Sequence, residues 1–158
     1  MKQKVYIETS VVSYFTAKTS KDLVVAGHQV STVDMWNNLD SFQVFISDIV
    51  IQEASKGNPE QAKLRLDALE AFQILELDDE AKELARALIV GKAIPEKSLE
   101  DALHIAVATA NGIDVIVTWN FSHINNPFTR RLIRQVIESK GYVCPEICSP
   151  EELIGEDT

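Results

Sequence analysis

The stretch from Leu99 to Ile124, LEDALHIAVATANGIDVIVTWNFSHI, constrains this chain more than any other. Ala102, Leu103, Ile105, Ala106, Val107, Ala108 and Ala110 leave almost no polar face, so the helix they predict must be covered on most sides. Ser98 stands at its N-cap position with Asp101 three residues on, the spacing of a capping box. Asn111-Gly112 closes the helix, with Gly112 suited to a left-handed C-terminal position. Val115-Ile116-Val117 then reads as a short buried strand of a parallel sheet, delivering Thr118, Trp119, Asn120 and His123 at its carboxyl end. In open α/β sheets ligands sit at that end. Asp101, His104 and Asn120 are polar groups on otherwise apolar elements, where burial without a partner costs several kcal/mol, roughly 2–7 for an amide or hydroxyl and more for a charge.

Around this core the pattern alternates. Val5-Tyr6-Ile7 is a first strand ending at Glu8-Thr9-Ser10, and a helix of a turn or two follows over Val11 to Thr16. Residues 17 to 27 read as a loop or lid, and helical character resumes from Val30 to Asp40 with Val33, Trp36 and Leu39 inward. Val44 to Ile46 is a second strand, after which Ser47-Asp48 caps a helix bearing Ile49, Val50 and Glu53. Pro59 opens a further helix, Phe72 to Leu77 is a third strand, and Asp78-Asp79 starts a helix that ends before Gly91. After the central stretch, Thr129 to Lys140 is an amphipathic helix with Leu132, Ile133, Val136 and Ile137 inside and Arg130, Arg131 and Arg134 outside; Val143 to Ile147 is a last strand. Strands alternating with helices predict an α/β chain with a three-layer α/β/α architecture and a mainly parallel central sheet. The length of 158 residues fits one domain over residues 1–158, with a loose tail from Gly155 to Thr158.

Charge and cysteine content exclude several classes. A formal net charge of −9 argues against a protein that holds nucleic acid by electrostatics alone, but not against a nucleic-acid enzyme whose carboxylates take up cations. Cys144 and Cys148 are too few for a structural zinc site and read as reduced thiols. Glu8 interrupts the N-terminal apolar run, so no signal peptide is expected, and no segment reaches the roughly 20 apolar residues of a membrane span. A cytoplasmic protein without a membrane partner is the expectation.

Glu8, Glu53 and Asp101 are the carboxylates in apolar surroundings or at strand ends, and all three face the sheet's carboxyl edge in the expected topology. Converging acids repel unless a cation is present, and hard oxygen donors favour Mg²⁺ or Mn²⁺ over zinc. Each residue also has a plain alternative. Asp101 can close a capping box, Glu53 can be a solvated helix residue, Asn120 can serve a turn, and His104 and His123 can be hydrogen-bonded structural histidines. Glu100 cannot face the same way as Asp101 and is a peripheral ligand or a solvated charge. Trp119 and Phe121 suit the core, or the flank of an unstacked base.

The segments VYIETSVVSY, SDIVIQE, EDALHIAVA, GIDVIVTWNFSHI and SPEEL, in that order over residues 4 to 153, resemble PIN-domain ribonucleases, in particular the VapC-like toxins of prokaryotic toxin–antitoxin pairs. The resemblance implies a PIN-like fold and metal-dependent hydrolysis of RNA. It implies the acidic set Glu8, Glu53 and Asp101 with Asn120 in fourth place, holding Mg²⁺ or Mn²⁺. Ser10 and Thr118 would orient ligands behind it; Arg130, Arg131 and Arg134 either form a solvated helix face or contact phosphates outside the pocket. Glu8 stands where the family usually has Asp, and Asn120 replaces a frequent Asp. A cognate antitoxin and homodimerisation are further implications. The rival readings are a catalytically silent PIN module acting through an antitoxin or regulatory partner, and a receiver-like domain. The latter wants adjacent acids after the first strand and a lysine after a late one, and has neither.

Overall fold

A computed structural model describes residues 1–155; the expected loose tail therefore falls, beyond Gly155, outside the described residues. Five strands form one sheet in the order β3-β2-β1-β4-β5. They are β1 (Gln3–Ile7), β2 (Phe42–Ser47), β3 (Gln73–Leu75), β4 (Val115–Val117) and β5 (Glu146–Cys148). Every pairing is parallel, so the sheet is parallel throughout and not merely in the main. β1 lies in the middle because Val5, Tyr6 and Ile7 are apolar on both faces of the pleat, and all three are buried.

Eight helices cover the sheet: α1 (Thr9–Thr16), α2 (Leu23–Trp36), α3 (Asp48–Ala54), α4 (Pro59–Leu69), α5 (Asp79–Val90), α6 (Leu99–Ala110), α7 (Pro127–Ser139) and α8 (Pro150–Ile154). α5 packs against α6 and α7; α1 packs against α2 and α4, and α8 against α2; α3 touches both α1 and α6. The result is the three-layer α/β/α arrangement expected from the alternation of elements. No described helix is long and apolar enough to cross a membrane.

α6 is buried over Ala102 to Thr109, as its composition requires, and its alanines let α5 and the sheet approach closely. Gly112 takes φ +68°, the Gly112 amide donates to the Thr109 carbonyl and the Ile113 amide to the Ala108 carbonyl. That pair of bonds is a Schellman stop, which turns the chain straight into β4. Ile7 then pairs with Val117, so the next residues of the two strands, Glu8 and Thr118, emerge side by side at the carboxyl edge.

Several sequence expectations are corrected. α2 starts at Leu23, inside the stretch read as a loop, because Asp22 accepts from the Val24 and Val25 amides. Its buried residues are Gln29, Thr32 and Met35; of the residues expected inward, Val33 faces solvent, while Trp36 packs half-buried on the core and Leu39, just past the helix, is buried. β3 and β5 are shorter than expected. On α7 only Ile133 and Ile137 are buried, while Leu132 is exposed and Val136 half-buried. Arg130 is also half-buried and donates to Asn125 Oδ1.

The end of α5 departs from the expected use of glycine. Lys92, not Gly91, takes the left-handed conformation (φ 61°) after the helix, with the Ala93 amide closing on the Leu88 carbonyl. Gly91 is needed for space, because a Cβ there would lie 2.7 Å from Val136 Cγ2 on α7. Gly91→Ala is therefore expected to destabilise by about 1–2 kcal/mol through overpacking against a stiff β-branched neighbour. Lys92→Gly is expected to be neutral or to stabilise by up to about 1 kcal/mol. Thermal melts of the two variants check the pair, and equal shifts would contradict this division of roles.

Candidate active site

The carboxyl edge of the sheet gathers side chains from four segments. Glu8 follows β1 and is the N-cap of α1, with its side chain turned back into the protein. Its Oε1 accepts from Ser10 Oγ at 2.5 Å and Thr118 Oγ1 at 2.6 Å, and its Oε2 accepts from the Ser10 amide at 3.1 Å. Only 7% of this carboxylate side chain is exposed. Ser10 Oγ also accepts from the Trp119 amide, and Thr118 Oγ1 from the Asn120 amide, so the start of α1 is tied to the turn after β4.

Glu53 reaches in from the last turn of α3. Its Oε1 accepts from Thr9 Oγ1 and from His104 Nε2, both at 2.6 Å. Oε2 accepts no hydrogen bond from a described residue and lies on the more open side, the side chain being 28% exposed. Asp101, in the first turn of α6, accepts from Asn120 Nδ2 at 3.2 Å and from His123 Nδ1 at 2.9 Å. The capping box expected with Ser98 does not form: the Ser98 hydroxyl makes no cap and lies 3.5 Å from His123 Nδ1. Asn120 serves the turn and also bonds Asp101. Its Oδ1 accepts the His123 amide and shapes the turn, while its Nδ2 steadies Asp101.

His104 lies one turn beyond Asp101, on the same face of α6, and is fully buried. Its Nδ1 shares a hydrogen bond with Tyr6 Oη at 2.7 Å, and that hydroxyl meets Ser47 Oγ at 2.7 Å. Glu8 Oε2 lies 3.9 Å from Nε2. Glu8, Glu53 and His104 each place a donor atom within 4.8 Å of the others. This trio differs in emphasis from the set read in the sequence: Asp101 is turned towards Asn120 and His123, and His104 takes the central position. The signal for His104 was present in its spacing of three from Asp101, one helical turn. Thr9, one of the two hydroxyls that follow Glu8 in sequence, bonds Glu53 and not Glu8.

The electrostatics follow from this crowding. Burial pushes the Glu53 carboxyl up, but the hydrogen bond and charge of His104, with the Thr9 hydroxyl, outweigh it and hold Glu53 below its ordinary value. Burial pushes His104 down, yet the bond to Glu53 and the charges of Glu8, Glu53 and Asp101 leave it above its ordinary value. Asp101 is raised by burial and by the negative charge of Glu8, against the pull of His123. Burial pushes the Tyr6 hydroxyl well up, so it stays a neutral donor or acceptor. Three carboxylates thus converge, and the titratable nitrogens that pair with them among the described residues are those of His104 and His123.

Other residues singled out in the sequence lie elsewhere. Trp119 is buried, stacked on His28 with ring centroids 4.1 Å apart, and its indole N–H donates to Thr32 Oγ1; Phe121 stands edge-on to both rings and is exposed. Arg130 and Arg131 lie on α7 beside Arg134 and β5, lining a shallow hollow that no member of the carboxylate cluster shares. Cys144 and Cys148 are free thiols.

Comparison with known proteins finds no match among curated proteins. Among solved structures, the chain is similar to VapBC2 from Rickettsia felis bound to a DNA fragment from their promoter, at 17% identity, TM-score 0.59, over 93% of this chain and 98% of that one. It is also similar to VapC20 of Mycobacterium tuberculosis, a sarcin–ricin loop cleaving toxin, at 15% identity, TM-score 0.56, over 88% and 96% of the two chains. These likenesses establish the shared fold. The PIN domain family model matches residues 5–127, most of the chain, and the protein belongs to the PIN-domain family.

Proposed function

We propose that this protein is a divalent-metal-dependent endoribonuclease and the toxin of a toxin–antitoxin pair. The observation that carries the reading is the cluster of Glu8, Glu53 and His104, whose donor atoms lie within 4.8 Å of one another, with Asp101 near enough for the Glu8 charge to raise its carboxyl. An enzyme that had no use for a cation would gain by replacing at least one of these acids. Membership of the PIN family and likeness to two toxin structures support the same reading.

The donor set fits Mg²⁺ or Mn²⁺. Glu53 Oε2 accepts no hydrogen bond from a described residue and Glu8 Oε2 accepts a single amide, so each glutamate keeps a hard oxygen with lone pairs to offer. When bound, such an ion supplies Lewis-acid polarisation of a phosphoryl oxygen and a bound water of lowered pKa. Glu8, Glu53 and Asp101 are the residues that would hold it, with Asn120 steadying Asp101 in place of a further charge. Ser10 and Thr118 fix the Glu8 carboxylate in one orientation, which keeps its open oxygen aimed at the site. Arg131 would contact phosphates away from the reacting bond; Arg130 and Arg134 on the same helix already pair with Asn125 and with Glu138 and Glu146. Unpaired RNA suits a site of this size. The protein acts in the cytoplasm, as a homodimer held in check by a cognate antitoxin; the VapBC2 assembly of the Rickettsia felis neighbour supports that partner.

A second reading is a silent module that works by binding its partner. The feature in its favour is that the chain satisfies its own acids: Glu8 accepts three hydrogen bonds, and no described buried side-chain polar atom lacks a partner. The discriminating experiment incubates the purified, partner-free protein with structured and single-stranded RNAs in Mg²⁺, Mn²⁺ or EDTA, beside Glu53→Gln. Cutting that needs the metal and fails in the variant is the expected result. Equal background in every arm, with a metal titration that still finds a site, would leave the binding module as the function.

A further inference from the structure

We propose that His104 is a positioning residue, not a metal ligand, and that it makes Glu53 a one-oxygen ligand suited to Mg²⁺ or Mn²⁺ over Ca²⁺. This rests on the metal-binding reading of the site given above. Its ground is the distribution of hydrogen bonds over the two glutamates and the imidazole.

Glu53 Oε1 is occupied twice, by Thr9 Oγ1 and His104 Nε2, and Oε2 is left. Glu8 repeats the pattern, with Oε1 occupied by Ser10 Oγ and Thr118 Oγ1 and Oε2 receiving only an amide. A carboxylate whose one oxygen is already shared between two donors can offer a cation only the other. Ca²⁺ commonly takes both oxygens of a carboxylate in a large, flexible shell; Mg²⁺ takes single oxygens in a tight octahedron. Both glutamates are therefore prepared for the smaller ion before it arrives.

The imidazole cannot supply a nitrogen without dismantling this arrangement. A carboxylate can only accept, so the Nε2 that faces Glu53 Oε1 at 2.6 Å carries the hydrogen and has no lone pair for a metal. The other nitrogen points away from the site, to Tyr6 Oη, whose hydroxyl is backed by Ser47 Oγ. Tyr6, Ser47 and His104 are all fully buried, so the ring has no room to turn. Ser47 even stands at the N-cap of α3 without capping it, its hydroxyl being committed to Tyr6. The chain Ser47–Tyr6–His104–Glu53 thus runs from the inside of the sheet to the site, and each member fixes the next.

The test uses Mn²⁺ as probe on the whole chain. Electron spin-echo spectroscopy of the Mn²⁺-loaded protein should show no directly coordinated nitrogen, and Mg²⁺ should displace the ion at least tenfold more effectively than Ca²⁺. Tyr6→Phe keeps the ring and the fold, checked by circular dichroism, but releases His104; it should narrow the Mg²⁺/Ca²⁺ preference several-fold. His104→Gln, which retains a donor for Glu53, should hold the preference better than His104→Ala. A nitrogen coupling from a bound imidazole overturns the proposal while leaving the metal site itself intact, and so does an unchanged preference in both Tyr6→Phe and His104→Ala. A folded protein that takes up no Mn²⁺ overturns the metal reading, and this proposal with it.

Discussion

Asp101→Asn is expected to abolish RNA cleavage while leaving the protein as stable as before or more so. The loss should exceed the roughly 10–100-fold typical of groups that only support a metal ligand, because a ligand charge is removed outright. Stability moves the other way for a reason visible in the site. Burial and the neighbouring Glu8 charge hold the Asp101 carboxyl above its ordinary value of 3.8. A carboxyl raised in the folded state binds its proton more tightly there than in the unfolded chain. Above that raised value the ionised group therefore opposes folding. Asparagine keeps the shape and can still accept from His123, without the charge. In EDTA at pH 7 the variant should melt level with or above the wild type, by up to about 1 kcal/mol, the common scale for relieving strain at a functional site. Melting curves and the cleavage assay read the two effects separately. An inactive variant that also melts early would make the loss of activity a folding defect, and an active one would remove Asp101 from the chemistry.

The second large effect concerns His104 and pH. His104 is raised above its ordinary 6.5, so the stability it confers is complete below about pH 6.5 and is lost as pH rises through the folded value. Glu53 is lowered from 4.5, so its share is present above about pH 4.5 and is lost on acidification. Asp101 adds a decline as pH rises from about 3.8 through its raised folded value, and none above it. Metal-free protein should therefore be most stable in mildly acid solution and weaken towards pH 8, the reverse of a chain governed by paired carboxylates alone. His104→Leu removes the group that bridges Tyr6 and Glu53 among the described residues, leaving the buried Tyr6 hydroxyl to Ser47 and the partly buried Glu53 carboxylate to Thr9. A cost of about 2–4 kcal/mol follows, and the decline with rising pH should flatten. Urea titrations in EDTA from pH 5 to 8 test both statements. A wild-type profile that rises across that range would contradict the raised His104.

The parts of this structure that could be read from sequence are those where one segment carries its own explanation. α6 and β4 are apolar on every side, so their burial and their order fix the sheet's central region. Glu8 stands out because a charge ends a strand as apolar as Val5 to Ile7. The second half of α2 is legible in sequence but its start at Leu23 is signalled only by Asp22, since its inward face is Gln29, Thr32 and Met35 and Val24, Val30 and Val33 point out. The Ser98–Asp101 pairing has the spacing of a cap, but Asp101 is drawn to His123 and Asn120, partners that a loop after β4 brings back across the sheet edge. His104 stands out in sequence as a polar residue on an apolar helix, but its partners, Tyr6 and Glu53, lie 98 and 51 residues away in the chain. Glu53 itself has the local sequence of a solvated helix residue. Contacts of that separation leave no trace in local pattern.

The strand order has a consequence during synthesis. β1 is made first but sits in the middle of the sheet, and its neighbour β4 is not made until residues 115–117. Thr118, which holds Glu8, and the Asn120–His123 turn, which holds Asp101, come later still. A ribosome-bound chain that already carries all three acids therefore holds Glu8 through Ser10 alone and lacks the partners of Asp101. The carboxylate cluster is completed only when the turn after β4 has folded back onto β1, a contact of long sequence separation.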